Sequence, residues 1–231
     1  MEFKTFKGRI EQKEEVALKT YSIKIVDSEG GTFDFTPGQF ATLTLGENVK
    51  RSYSVASIPG KPYIELIADT WKGGPGSQFF EKAQIGDSVE FLFPLGHFVL
   101  RESQRPAHFF ATGTGIVPFM SMIEHSLITL GNTTKEFVLY SGFRHEEDVF
   151  GKGLLEMLDV RFENFKYKLN LTQPKEGYQG NIGRITQYID TLTSTDIDAY
   201  ICGSNQMVTD VKARLIAKGV PAEQVFNEMY Y

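Results

Sequence analysis

The 231 residues are enough for one large domain or two modest ones, and 41% hydrophobic with 23% charged content is that of a soluble globular protein. A net charge of −5 without a dense basic run argues against a nucleic-acid binder, and a single cysteine excludes an internal disulfide, a four-thiolate zinc site and an iron–sulfur cluster of the chain's own. The start, Met1-Glu2-Phe3-Lys4, lacks an apolar signal core and no run nears membrane-spanning length, so a cytoplasmic protein without membrane insertion is expected.

Residues 1–103 read as a domain of short strands punctuated by Gly and Pro. Val16 to Val26 alternates in part, placing Leu18, Ile23 and Ile25 on a buried face and Thr20, Ser22 and Lys24 on an exposed one. Pro37-Gly38 turns the chain into a second alternating strand, 39–45. In Arg51-Ser52-Tyr53-Ser54, strand geometry sends Arg51 and Tyr53 to one face and Ser52 and Ser54 to the other. A guanidinium can pair a phosphate bidentately, and a flat ring two residues on can lie against a flat heterocycle. A polar strand edge with an ordinary tyrosine fits the same four residues. Segments 63–67 and 88–93 continue the series, and strands at this spacing predict an antiparallel barrel. Between them, three glycines and a proline in Trp71–Phe80 make a loop. Ser77 is expected to N-cap a short helix running through Lys82, whose N–H groups attract phosphate oxygens. His97 has no partner at metal spacing and reads as structural or solvated, and no metal site is expected anywhere. The charged stretch Arg101–Arg105 before Pro106 reads as a linker.

Residues 104–231 change pattern. A short apolar run, 108–112, ends in Gly113-Thr114-Gly115, and a helix follows with Pro118 near its first turn and Phe119, Met120, Ile123, Leu127 and Leu130 on its apolar side. Strands at 137–140, 167–171 and 199–202 alternate with helices near 153–158, 185–192 and 206–218, which predicts a Rossmann-like parallel sheet covered by helices. Gly113-x-Gly115 lets backbone approach a pyrophosphate above a helix N-terminus, although Pro118 stands where the dinucleotide fingerprint has its third glycine. Cys202-Gly203 closes the last predicted strand, at the edge where open parallel sheets bind ligands.

Five segments in order, Arg51–Ser54, Gly74–Ser77, Gly113–Pro118, Cys202–Asn205 and Asn227–Tyr231, resemble those of the ferredoxin–NADP reductase family over essentially the whole chain. The resemblance implies a six-stranded FAD-binding barrel followed by an NAD(P)-binding α/β domain whose C-terminal residues return to the flavin. It implies flavin contacts from Arg51, Ser52, Tyr53, Ser54, Leu66, Ile67, Ala68, Gly74, Gly76, Ser77, Thr114 and Tyr230. It assigns NAD(P) to Gly113, Thr114, Gly115, Ile116, Pro118, Arg144, Arg184, Cys202 and Gly203. Ser54, Cys202, Glu228 and Tyr230 match catalytic positions: Ser54 near flavin N5, Cys202 orienting the nicotinamide, Glu228 an active-site carboxylate and Tyr230 covering the flavin. Arg144 and Arg184 match two arginines that hold the NADP 2′-phosphate, while Thr172-Gln173 lacks a third and three acids follow Arg144, so NADPH is expected with NADH left open. The implied function is electron transfer between NAD(P)H and a one-electron carrier, ferredoxin or flavodoxin. The alternatives are the reductase component of an oxygenase, a cytochrome b5 reductase-like enzyme, or a non-catalytic flavin-binding relay subunit.

Overall fold

The structure, a computed structural model, describes residues 3–230. Its contacts divide the chain into two units: residues 1–100 with 117–125, and residues 101–116 with 126–231. The sequence places a division after residue 103. By contacts the helix 117–125 is counted with the first unit and residues 101–103 with the second.

The first unit holds β1 (Lys4–Ala17), β2 (Thr20–Asp27), β3 (Phe40–Gly46), β4 (Val49–Ser54), β5 (Tyr63–Asp69), α1 (Pro75–Lys82) and β6 (Ser88–Leu95). The strands form one antiparallel sheet in the order β4-β3-β6-β1-β2-β5. Its two edge strands then meet. Beyond β4, Val55 bridges Leu66 and the Ala56 N–H donates to the Glu65 carbonyl at 2.8 Å, so the edges satisfy each other as a barrel requires. The interior is aliphatic and aromatic: Ile10, Ile23, Ile25, Leu43, Val55, Ile64, Leu66, Phe80, Phe91 and Phe93 are fully buried.

Two expectations are corrected here. Val16–Val26 is not one strand, because Leu18-Lys19 makes a turn with Lys19 left-handed at φ 51°. The phase of alternation resets across it, leaving Leu18 exposed while Thr20 and Ser22 are buried. The Ser22 hydroxyl is satisfied there by the Glu65 carboxylate at 2.6 Å. The N-cap of α1 is Gly74 rather than Ser77, since Pro75, with its fixed φ and missing N–H, takes the first helical position.

Helix α2 (Val117–Glu124) is counted with the first unit, and the second holds β7 (Ala107–Thr112), β8 (Phe137–Phe143), α3 (Lys152–Arg161), β9 (Phe165–Leu171), β10 (Asn181–Ile182), α4 (Gln187–Asp190), β11 (Asp198–Ser204), α5 (Asn205–Lys218) and β12 (Val225–Tyr230). Every pairing in its sheet is parallel, in the order β10-β9-β8-β7-β11-β12. From β7 the chain steps outward through β8, β9 and β10, then returns to lay β11 and β12 on the other side. The order therefore reverses between β7 and β11, which is where ligands bind in such sheets. The helix after the glycine turn is shorter than its apolar pattern predicts: α2 stops at Glu124, a π-helical turn follows over His125–Thr129, and Leu130 is exposed.

The expected linker is fixed onto the second unit. Arg105 Nε donates to the Asp198 carboxylate at 2.9 Å, Lys135 Nζ donates to the Ser103 carbonyl at 3.0 Å, and the Arg101 N–H donates to the Tyr200 hydroxyl at 2.9 Å. Asp198 is fully buried at the start of β11 with Lys135 Nζ 3.7 Å away, so this acid draws two cations toward it.

Candidate functional site

In the first unit, β4 and the N-terminus of α1 build one candidate site. Alternation along β4 points Arg51 and Tyr53 the same way, over Gly76, while Ser52 faces Thr42 across the strand pair with their hydroxyls 2.9 Å apart. A β-carbon on Gly76 would run into the Tyr53 hydroxyl and sit 3.7 Å from Arg51 Cγ, so glycine keeps a cradle open there. The Tyr53 ring packs edge-on against Phe80, 5.0 Å between centroids, and burial pushes its hydroxyl up to about 12 against the pull of Arg51. The first helical bond of α1 runs from the Gln78 N–H to the Gly74 carbonyl at 2.9 Å. The N–H groups of Gly76 and Ser77 precede it and have no acceptor within the helix, and they lie at the positive end of its dipole. A guanidinium, two such N–H donors and a glycine-kept gap suit a diphosphate. Ser54 is buried at the end of β4, and Leu66, Ile67 and Ala68 are buried along β5.

In the second unit a second candidate site lies where the strand order reverses. Gly113 leaves β7 in the left-handed region at φ 54°, and Gly113–Ile116 form a tight helical turn. A β-carbon on Gly115 would penetrate the Cys202 carbonyl and lie 2.7 Å from the Gly203 nitrogen. One on Gly203, itself at φ 147°, would come within 2.5 Å of Thr112 Oγ1. The glycines thus let the two loops close on each other; Ile116 and Pro118 are buried.

Strand β12 supplies what the sequence pattern did not reveal. It pairs with β11 in parallel, setting Glu228 beside Cys202 and Tyr230 beside Ser204. Cys202 is fully buried, and desolvation first, with Glu228 second, pushes its thiol well up against hydrogen bonds to Tyr230 and to the Gly203 backbone. It is therefore a neutral thiol, able to pack and orient but not to attack. Ser204, just beyond, caps α5 by accepting the Met207 N–H at 3.4 Å. Tyr231 lies outside the described residues.

Arg144 follows β8 and Arg184 follows the short β10. Both are exposed, and the two strands flank β9 on the same sheet. The nearby acids are engaged elsewhere: Glu147 pairs with Lys175 at 3.1 Å, and Asp148 accepts the His145 N–H at 2.9 Å.

This two-part architecture is that of a flavin- and nicotinamide-binding oxidoreductase. Residues 7–100 match the oxidoreductase FAD-binding domain and residues 109–213 the oxidoreductase NAD-binding domain. The chain is 31% identical over 217 residues to ferredoxin–NADP reductase B of Sorangium cellulosum, covering 88% of each chain. It is 30% identical over 229 residues to the toluate 1,2-dioxygenase electron transfer component of Pseudomonas putida, covering 97% of this chain and 67% of that protein. A ferredoxin NADP+ reductase from Neisseria gonorrhoeae, solved with bound FAD and NADP, shares the fold at a TM-score of 0.83 and 23% identity, over 98% of this chain and 99% of that one. The chain belongs to the ferredoxin reductase family of FAD- and NAD-binding oxidoreductases.

Proposed function

We propose that the protein is a reductase that passes electrons from NAD(P)H through FAD to a separate one-electron carrier of the ferredoxin type. The observation that carries this reading is the Arg51–Tyr53 cradle over the N-terminus of α1, in a chain that also has an NAD-binding domain. A bound flavin supplies the exchange of electron pairs with a nicotinamide and of single electrons with a carrier.

In this reading Arg51 pairs with the FAD diphosphate and the Gly76 and Ser77 N–H groups donate to it, with Gly74 setting the entry angle of the loop. Tyr53 and Ser52 flank the cofactor, Ser54 offers a hydroxyl to the flavin ring, and Leu66, Ile67 and Ala68 form a water-excluding wall. Gly113, Thr114, Gly115, Ile116 and Pro118 shape the turn that receives the NAD(P)H diphosphate. Cys202 and Gly203 hold the nicotinamide in register, with Glu228 and Tyr230 beside the thiol. No side chain here is required to move a proton. Arg144 and Arg184 stand where a ribose 2′-phosphate would be met.

Two acceptors fit. Similarity to a ferredoxin–NADP reductase favours a free ferredoxin, with flavodoxin a further candidate, and similarity to a dioxygenase electron transfer component favours an oxygenase system. In both, the carrier lies outside this sequence, whose single cysteine cannot hold an iron–sulfur cluster. Steady-state reduction of ferricyanide and of purified ferredoxins by the FAD-loaded protein, with NADH and with NADPH, tests the proposal. Turnover with ferricyanide and at least one ferredoxin is expected. Flavin-loaded protein inert to both nucleotides would instead mark a relay subunit.

A further inference from the structure

The loops after β8 and β9 are laced together at the carboxyl edge of the parallel sheet. The Gln173 N–H donates to the Arg144 carbonyl at 2.9 Å, the Thr172 N–H to the Phe143 carbonyl at 3.0 Å, and His145 Nδ1 lies 2.7 Å from the Gln173 carbonyl. The three acids after Arg144 have different partners. Glu146 accepts the Lys175 N–H through both carboxylate oxygens, at 3.0 and 3.2 Å. Asp148 accepts the His145 N–H, and Glu147 holds the Lys175 ammonium at 3.1 Å. Of the three, it is Glu147 whose carboxylate holds a side-chain cation, in a solvent-exposed pair with the Lys175 side chain 72% and the Glu147 side chain 40% exposed. The two groups respond as an ion pair, the carboxyl of Glu147 lowered by its hydrogen bond to Lys175 and the ammonium raised by the same bond.

The location gives that pair a consequence. In doubly wound nucleotide-binding sheets the discrimination at the adenosine ribose is made by side chains past the first turn: an acid there suits a free 2′-hydroxyl, and cations suit a 2′-phosphate. Arg144 stands on the same loop as Glu147. Arg184 follows β10, which pairs with the end of β9 through Ile182 and Leu171. Between them the Thr172-Gln173 segment brings no charge, and Lys175 is the next cation along it. Resting on the reading that this edge receives the adenosine end of NAD(P)H, we infer that the Glu147–Lys175 ion pair determines nucleotide specificity by withholding Lys175 from a ribose 2′-phosphate. Arg144 and Arg184 are then left as the cations that can meet the phosphate. Removing the carboxylate of Glu147 releases a mobile ammonium on a four-carbon stem next to a group that carries close to two negative charges. Glu146 has a different part: it pins the Lys175 backbone, and its loss frees no cation.

Titration calorimetry of the FAD-loaded protein with 2′,5′-ADP and with 5′-AMP isolates the phosphate from the rest of the coenzyme. In Glu147→Gln the affinity for 2′,5′-ADP should rise about two- to fivefold, the scale of an exposed ion pair released, with 5′-AMP unchanged. Adding Lys175→Ala should abolish the gain. An unchanged ratio in Glu147→Gln, a gain that survives Lys175→Ala, or failure of both fragments to bind overturns the inference. Parallel ferricyanide assays separate this from the reductase reading. A shifted fragment ratio in a protein that neither nucleotide reduces would keep the inference and remove the reading. Normal turnover with an unshifted ratio would do the reverse.

Discussion

Substituting Gly115 by alanine tests whether the two loops at the strand-order reversal are locked by backbone contact. The new β-carbon would lie 2.7 Å from the Gly203 nitrogen and closer still to the Cys202 carbonyl, where ordinary contact begins at 3.4 Å. Both obstacles are backbone atoms at the end of a central strand, so relief to 3.4 Å from 2.7 Å requires the Cys202–Gly203 peptide to move by about 0.7 Å or more. Overpacking of this kind costs about 1–3 kcal/mol. Equilibrium unfolding in urea should register that loss, and displacement of the peptide beside Cys202 should weaken nucleotide binding about tenfold or more. The paired control is Gly113→Asn. Gly113 has open space around its missing side chain and needs only the left-handed conformation that asparagine tolerates, so this variant should lose less than about 1 kcal/mol. Equal unfolding midpoints for Gly115→Ala and the unsubstituted protein would refute the argument.

Three further substitutions probe other parts of the molecule. Gly76→Ala drives its β-carbon into the hydroxyl of Tyr53, whose ring is packed on Phe80, so it should cost about 1–3 kcal/mol of stability while FAD affinity, measured by fluorescence titration, falls about ten- to a hundredfold. His108 is buried beside Tyr140, and desolvation, then Lys168, lower it from 6.5 to about 4. Between those values the unfolded chain is protonated and the folded one is not, so stability falls as the pH drops through this window. The loss is about 2 kcal/mol at pH 5, and His108→Gln should remove that part of the difference between urea midpoints at pH 7.5 and pH 5. Asp198→Asn leaves the buried Lys135 without its counter-charge and should cost about 3–5 kcal/mol in the same assay.

Much of this is legible in the sequence because backbone geometry leaves strong marks. Gly115 and Gly203 announce loops that close on neighbouring chain, Gly113 a left-handed turn, and the alternation of Arg51 with Ser52 announces a strand with two chemically distinct faces. What escapes is set by tertiary contact. The segment 225–230 carries Asn, Glu and Met in place of a β-branched run, and it is a strand because β11 offers an unpaired edge. The Leu18-Lys19 turn has neither Gly nor Pro, so the alternating pattern runs on as one strand where two exist. Ser77 looks like a cap by residue type alone, yet Pro75 decides where α1 starts. The partners of Arg101–Arg105 are hidden for a similar reason: Arg105 is held by Asp198, nearly a hundred residues away in sequence.

The most direct test of the central claim is anaerobic titration of the FAD-loaded protein with NADH and with NADPH, followed through the absorbance of the oxidised flavin. Loss of that absorbance with about one equivalent of at least one nucleotide is the predicted result, followed by its return when an oxidised ferredoxin is added. Retention of the oxidised spectrum under excess of both nucleotides, in protein shown to hold FAD, would contradict the account.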